Sequence, residues 1–247
     1  MNPLHAAKSV WLLAGGPGSR RRGGDPLLRQ ALSFAGRTAP SVAYVGAPSG
    51  DNRAFFVLIA AMLKKAGAGE VTLVRLAGRK PDVARESDVL ARADIVFMTG
   101  GDVEEGMRVL EATGTVGLLG ELAAAGKPFI GVSAGSIMLA RSWVRWRDPD
   151  DESTAETFPC LGIAPVVCDT HGEADAWEEL AAMVGISPEG TVGHGIPSGA
   201  GLVVHPDGSL EAAGAPVNRF ERREGRAVPL ADLEPPLGRA TAPPGRT

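Results

Sequence analysis

Short apolar runs alternate with stretches of helical period along most of this chain, and no other feature limits its fold as much. The runs cover residues 10–14, 42–45, 71–76, 95–98 and 129–132, and most give way at once to Gly, Ser or Thr. Runs of this length mark strands buried on both faces. Residues 53–66 are the clearest helix: Phe56, Ile59, Ala60, Leu63 and Ala66 recur at three- and four-residue steps, Asp51 stands where a cap is needed, and Gly67 where the helix must stop. Further helices are expected over 83–91, 104–112, 116–125 and 174–184. Strands and helices in this order require crossovers on a parallel sheet. The expected fold is therefore α/β, a three-layer sandwich with a mostly parallel central sheet and helices on both faces. Ligands in such folds bind beyond the carboxyl ends of the strands.

The pattern changes after residue 185. Residues 201–205 and 209–213, joined by Pro206, Asp207 and Gly208, predict a small C-terminal hairpin at the sheet edge. Residues 1–226 are read as a single domain, and 227–247, rich in Pro, Gly and charge, as a disordered or loosely docked tail. With 247 residues and 44% hydrophobic side chains the chain can bury a sizeable core. Its formal charge of −4 offers no bulk attraction to nucleic acid or to an anionic membrane. No signal peptide or membrane span is legible, and Cys160 and Cys168, the only cysteines, fit a reducing compartment, so a cytoplasmic location is expected. No metal or other cofactor is required, and a homodimer is left open.

Gly131-Val132-Ser133-Ala134-Gly135-Ser136 follows one apolar run and precedes Ile137-Met138-Leu139-Ala140. A serine at a strand-to-helix bend, with glycine two residues away on each side, has what a nucleophile elbow needs: room for a tight turn, and free N–H groups at the start of the helix. A second corner, Thr99-Gly100-Gly101-Asp102, ends another run and can bring the N–H of Gly101 or Asp102 toward a reacting carbonyl. A serine nucleophile needs a base. Of His5, His171, His194 and His205, His171 is preferred because it ends the strand-like run 164–170; His194, between Gly193 and Gly195, is the alternative. A carboxylate must orient the imidazole. Asp148, Asp150, Asp151, Glu152 and Glu156 all lie between Ser133 and His171, and spacing does not choose among them.

Taken together, the Ser133 segment, Met98-Thr99-Gly100-Gly101-Asp102 and Cys168-Asp169-Thr170-His171 resemble the peptidase E and cyanophycinase family of serine peptidases, over roughly residues 8–215. The resemblance implies a class I glutamine amidotransferase-like fold. It implies Ser133 as nucleophile, His171 as base, Gly101 and Ala134 as oxyanion N–H donors, and Asp148 near the place of the orienting acid. The substrate it implies is a short peptide or isopeptide, hydrolysed through an acyl-enzyme, since family members cleave at aspartyl residues. Two departures stand out. Val103 occupies a position where Gln or Asn is usual, which removes a polar side chain from the expected pocket rim. Glu173, Asp175, Glu178 and Glu179 follow the histidine, an acidic rim that repels an aspartyl side chain and favours a basic or amino-terminal group. Asp102, Glu173 and Arg141 are the expected substrate contacts, Arg141 through the forked donors that suit a carboxylate.

Three rival readings are weaker. A noncatalytic interaction protein could keep the fold without the chemistry. The Gly15-Gly16-Pro17-Gly18-Ser19 loop with Arg20, Arg21 and Arg22 suggests phosphate binding, but it lacks both the dinucleotide fingerprint and the P-loop lysine. A metal site from Cys168, His171, Glu173 and His194 has no recognised ligand spacing.

Overall fold

The computed structural model describes residues 7–15, 24–148 and 150–236. Its strands are β1 (Val10–Leu13), β2 (Val42–Val45), β3 (Val71–Val74), β4 (Ile95–Met98), β5 (Phe129–Val132), β6 (Ser142–Trp146), β7 (Ala155–Pro159), β8 (Val167–Thr170), β9 (Val192–Ile196), β10 (Gly201–Val204), β11 (Leu210–Ala213), β12 (Val217–Arg223) and β13 (Arg226–Leu233). Its helices are α1 (Pro26–Ser33), α2 (Arg53–Ala66), α3 (Val83–Arg92), α4 (Val103–Ala112), α5 (Thr115–Ala124), α6 (Ala134–Leu139) and α7 (Glu178–Ile186).

Every apolar run becomes a strand of one seven-stranded sheet, ordered β11-β10-β1-β5-β4-β2-β3. The five strands from β1 to β3 in that order are parallel, and β10 and β11 close the edge as the expected antiparallel hairpin. Successive side chains leave opposite faces. Leu12, Ala43, Val45, Val96 and Met98 enter one core with α3, α4, α5 and α6, whereas Trp11, Leu13, Tyr44, Phe97 and Ile130 enter the other with α1 and α2. Burial on both faces is the physical reason these strands read as unbroken apolar runs, and it produces the three-layer sandwich. Helix α2 has the expected bounds and ends at Gly67, at φ 112°. Its cap is Asn52, whose side chain accepts from the Phe55 N–H at 3.0 Å, because Asp51 turns away to accept from the Ala77 N–H at 2.6 Å.

A second sheet, β13-β12-β9-β8, and the β6–β7 hairpin contribute a further cluster around α7, built on Val144, Val167, Trp177, Leu180, Met183 and Val184. Here the structure departs from expectation. Residues 227–233, assigned from sequence to a loose tail, belong to strand β13, paired to β12 across the turn Glu224-Gly225. Both turn residues take positive φ, 49° and 77°, which matches the twist of a tight hairpin. Pro229 is tolerated because β13 is an edge strand. Helix α7 starts at Glu178, later than expected, since Ala176 and Trp177 lie at φ 55° and 66° and cannot be helical. The remainder of the expected tail, 237–247, lies outside the described residues, as do His5 and the arginines of the 16–23 loop. Among the described residues no helix is long and apolar enough to cross a membrane.

Candidate active site

Strand β5 delivers the chain to the carboxyl edge of the central sheet at Val132 and α6 leaves from Ala134, so the whole reversal falls on Ser133. Its backbone adopts φ 54° and ψ −127°, a conformation rare for a residue carrying a Cβ. The bend is held by β1: the Leu13 carbonyl accepts both the Ser133 N–H and the Ser136 hydroxyl, each at 2.9 Å. The flanking glycines are steric requirements. A Cβ on Gly135 would lie 2.2 Å from the Met98 carbonyl oxygen, and one on Gly131 would lie 2.7 Å from that of Gly135.

The second corner abuts this elbow. A Cβ on Gly100 would stand 3.1 Å from Ser133 Cβ and 3.5 Å from its Oγ, so the serine side chain lies against the Gly100 backbone. Asp102 is committed elsewhere: its N–H donates to the Pro48 carbonyl at 2.8 Å and its carboxylate caps α4, accepting from the Glu105 N–H at 2.7 Å. Of the two donors this corner offers, the Gly101 N–H is the one without a backbone partner among the described residues. Ala134 opens α6, so its N–H is among the unpaired donors of a first helical turn. Val103 is not a rim residue. It is 5% exposed and packs in the core, so the polar side chain missed at this position would not have faced the pocket.

The segment leading into β8 runs back along α6. The Ala164 N–H donates to the Leu139 carbonyl at 2.9 Å, and Cys168 Sγ donates to the Ser136 carbonyl at 3.8 Å. One step further along each segment stand Ser133 and His171, which brings both to the same end of α6. His171 takes φ 67°, and its N–H donates to the Ile196 carbonyl at 3.3 Å. Its ring Nδ1 lies 3.0 Å from Ser198 Oγ, and the Ser198 N–H donates to Glu173 Oε1 at 2.5 Å. The loop carrying Ser198 is fixed to the end of β1, with the Gly199 N–H donating to the Gly15 carbonyl at 2.7 Å. Loss of solvent works against the Glu173 carboxylate, but hydrogen bonds from Ser198 and the nearby His171 outweigh it and hold its pKa below the usual range.

The structure does not join Asp148 to this ring. Asp148 Oδ1 accepts from the Asp150 N–H at 3.1 Å, in an exposed turn between β6 and β7. Asp151 Oδ1 accepts from the Ser153 N–H at 2.9 Å in the same turn, and Glu156 pairs with Arg145 at 2.5 Å. Asp148, Asp151 and Glu156 therefore serve their own turn and hairpin. Arg141 stands at the far end of α6 from Ser133, its guanidinium donating to the Pro165 carbonyl at 3.0 Å. His194 is buried, with Nδ1 3.2 Å from the Val167 carbonyl, and burial lowers its pKa to about 4. Its ring is neutral at physiological pH and is held against the neighbouring strand β8. His205 Nδ1 lies 2.9 Å from Ser9 Oγ. Both cysteines are free; burial pushes the Cys160 thiol up to about 12 and Cys168 well above its ordinary value, which makes them inert. Among the described residues no group of three or more His, Cys, Asp or Glu is placed to hold a metal ion. Ser198 was not legible as a site residue, since nothing local to Pro197-Ser198-Gly199 distinguishes it from an ordinary turn.

Asp169, next to this site, gives the protein a pH dependence. It is 5% exposed, and its Oδ1 accepts from the Thr170 N–H at 2.7 Å. Burial first, and then the charges of Glu179, Asp175 and Glu173, push its pKa up to about 7 against the lowering effect of the Thr170 hydrogen bond. Unfolded, it ionises near pH 4 (about the ordinary aspartate value). Across the window from about pH 4 to about pH 7 the folded chain therefore holds a proton the unfolded chain has lost, and stability falls as pH rises, by up to about 4 kcal/mol. Asp169→Asn is expected to remove this slope, gaining stability over the native protein at about pH 8 and little at about pH 4. Urea unfolding at both values checks it; an equal change in midpoint at the two would refute the assignment.

Among solved structures, a peptidase from an acI-B1 Actinobacterium matches with a TM-score of 0.67 at 14% identity, covering 92% of this chain and 98% of that one. A putative peptidase E protein from Listeria monocytogenes EGD-e matches with a TM-score of 0.56 at 16% identity, covering 84% and 98%. At such identities the likeness is one of fold. No curated protein matches the sequence. The sequence pattern of peptidase family S51 matches residues 11–210, a span that takes in the Ser133 elbow, the Gly100-Gly101 corner, His171 and Ser198. The chain thus belongs to peptidase family S51, the serine peptidases of peptidase E and cyanophycinase type.

Proposed function

We propose that this peptidase hydrolyses an amide or isopeptide bond near the end of a short peptide, with Ser133 as nucleophile and His171 as base. The observation that carries the reading is the elbow itself: a serine in a strained bend, packed against a glycine corner, at the same end of α6 as a histidine whose Nδ1 is already engaged. In the first step Ser133 Oγ attacks the carbonyl carbon while its proton passes to His171 Nε2. The Gly101 and Ala134 N–H groups hold the oxyanion. Collapse breaks the C–N bond, the amine leaves with the proton from Nε2, and water then releases the acyl group from Ser133 by the same route.

Charge supports a substrate that is amino-terminal or basic beside the scissile bond. Asp102 borders the oxyanion corner and Glu173 and Asp175 follow the base, whereas Arg141, the cation expected to hold a carboxylate, sits at the other end of α6. A panel of α- and β-linked dipeptides and tripeptides with acidic, neutral or basic first residues tests this. The expected outcome is a kcat/KM for basic and neutral members at least about ten-fold above that for aspartyl members. A preference for aspartyl peptides would overturn the charge argument, and absence of cleavage across the panel would overturn the peptide-end reading.

A further inference from the structure

A serine peptidase of this kind needs something to hold the imidazole in the tautomer that leaves Nε2 free to accept a proton, and Asp148, Asp151 and Glu156 are engaged elsewhere. The atom facing Nδ1 is Ser198 Oγ, at 3.0 Å. A hydroxyl can donate or accept, so by itself it selects neither tautomer. Its other neighbour decides. Glu173 receives the Ser198 N–H at 2.5 Å, which places its carboxylate beside the Ser198 side chain, and the same serine helps hold that carboxylate ionised. An ionised carboxylate can only accept, so with Glu173 beside it the hydroxyl is favoured with its proton toward that carboxylate and an oxygen lone pair toward His171.

We infer that Ser198 and Glu173 act as a two-part positioning device in which the His171 Nδ1–H donates to Ser198 Oγ and the Ser198 hydroxyl donates to Glu173. This rests on the reading of Ser133 and His171 given above. Glu173 then orients the base through one intervening hydroxyl instead of contacting the substrate. When the Ser133 proton reaches Nε2 and the ring becomes cationic, the Nδ1 proton stays in place, and the carboxylate charge stabilises the imidazolium through the polarised hydroxyl. The separation of Ser198 from His171 by 27 residues is bridged by the parallel pairing of β8 with β9, and by the Gly199 tether to β1.

The test combines nitrogen-15 NMR of histidine-labelled protein with kinetics. The neutral His171 ring of the native protein, assigned by loss of its signals in His171→Gln, is expected as the Nδ1–H tautomer. Ser198→Ala should shift it toward the Nε2–H form and lower kcat by about 10^2- to 10^4-fold, approaching the loss seen when a triad acid is neutralised. Ser198→Thr, which keeps the hydroxyl, should restore the tautomer and most of the rate. Glu173→Gln should lower kcat by about ten-fold or more with little change in KM. The same spectra are recorded on Ser133→Ala protein, whose turnover is expected to be all but lost, so the positioning claim is read independently of peptidase activity. Tautomers that respond as stated in a protein without peptidase activity would leave the device standing and remove the catalytic reading. A His171 tautomer indifferent to Ser198→Ala and Glu173→Gln, or a collapse of kcat on Asp148→Asn alone, would overturn it.

Discussion

Ser133→Ala is expected to yield a folded protein whose peptide hydrolysis has fallen by about 10^4- to 10^6-fold. Removing the hydroxyl removes the proposed nucleophile, while the proposed oxyanion donors and His171 remain to give a small residue of catalysis. The fold has little reason to change. The Ser133 N–H still meets the Leu13 carbonyl, alanine keeps the same Cβ against Gly100, and the neighbouring hydroxyl that anchors the bend belongs to Ser136. Thermal unfolding should therefore match the native protein within a few degrees while kcat collapses on whichever peptide of the panel is cleaved best. Equal rates for the two proteins would sink the proposed mechanism.

Gly101→Ala should damage both stability and rate. An added Cβ would lie 2.0 Å from the Pro48 carbonyl oxygen, 2.4 Å from its carbon and 2.9 Å from the Ser49 nitrogen, and φ of 148° is itself unfavourable for alanine. The Pro48 carbonyl cannot move aside cheaply, because it holds the Asp102 N–H at 2.8 Å at the start of α4. The expected cost is about 2–4 kcal/mol of stability, with a fall in kcat of about 10^2- to 10^3-fold as the Gly101 N–H leaves its place. Gly117→Ala is the control. A Cβ there, within α5, meets nothing within 4 Å, so it should gain about 0.5–1 kcal/mol and leave the rate unchanged. A Gly101→Ala enzyme with native kcat would eliminate that N–H as an oxyanion donor.

The central layer was legible for a simple reason: strands buried on both faces allow no polar residue to interrupt them, and β2, β4 and β5 begin and end where their apolar runs do. The outer sheet obeys no such restriction. In β12, Asn218, Arg219, Glu221, Arg222 and Arg223 are only partly buried or exposed, and β13 carries Pro229 on an open edge, so neither segment stands out from a polar loop. Glu224-Gly225 was the one local clue to their hairpin. The site divides in the same way. Ser133 and the Gly100-Gly101 corner are local shapes, written in glycines of which Gly101, Gly131 and Gly135 cannot be replaced without collision. Ser198 and Glu173 carry no such mark, because their meeting depends on β9 pairing beside β8 and on a loop docking at β1. The family resemblance pointed to Asp148, but its carboxylate and that of Asp151 are occupied with N–H groups of their own turn.

The end of β1 has a mechanical meaning. Leu13 fixes the nucleophile bend from one side, and Gly15 fixes the Ser198 loop, and with it the imidazole, from the other. The proposed nucleophile and base are thus both tied to the end of one strand. A displacement of the whole strand carries both tethers together and leaves the spacing between them unchanged.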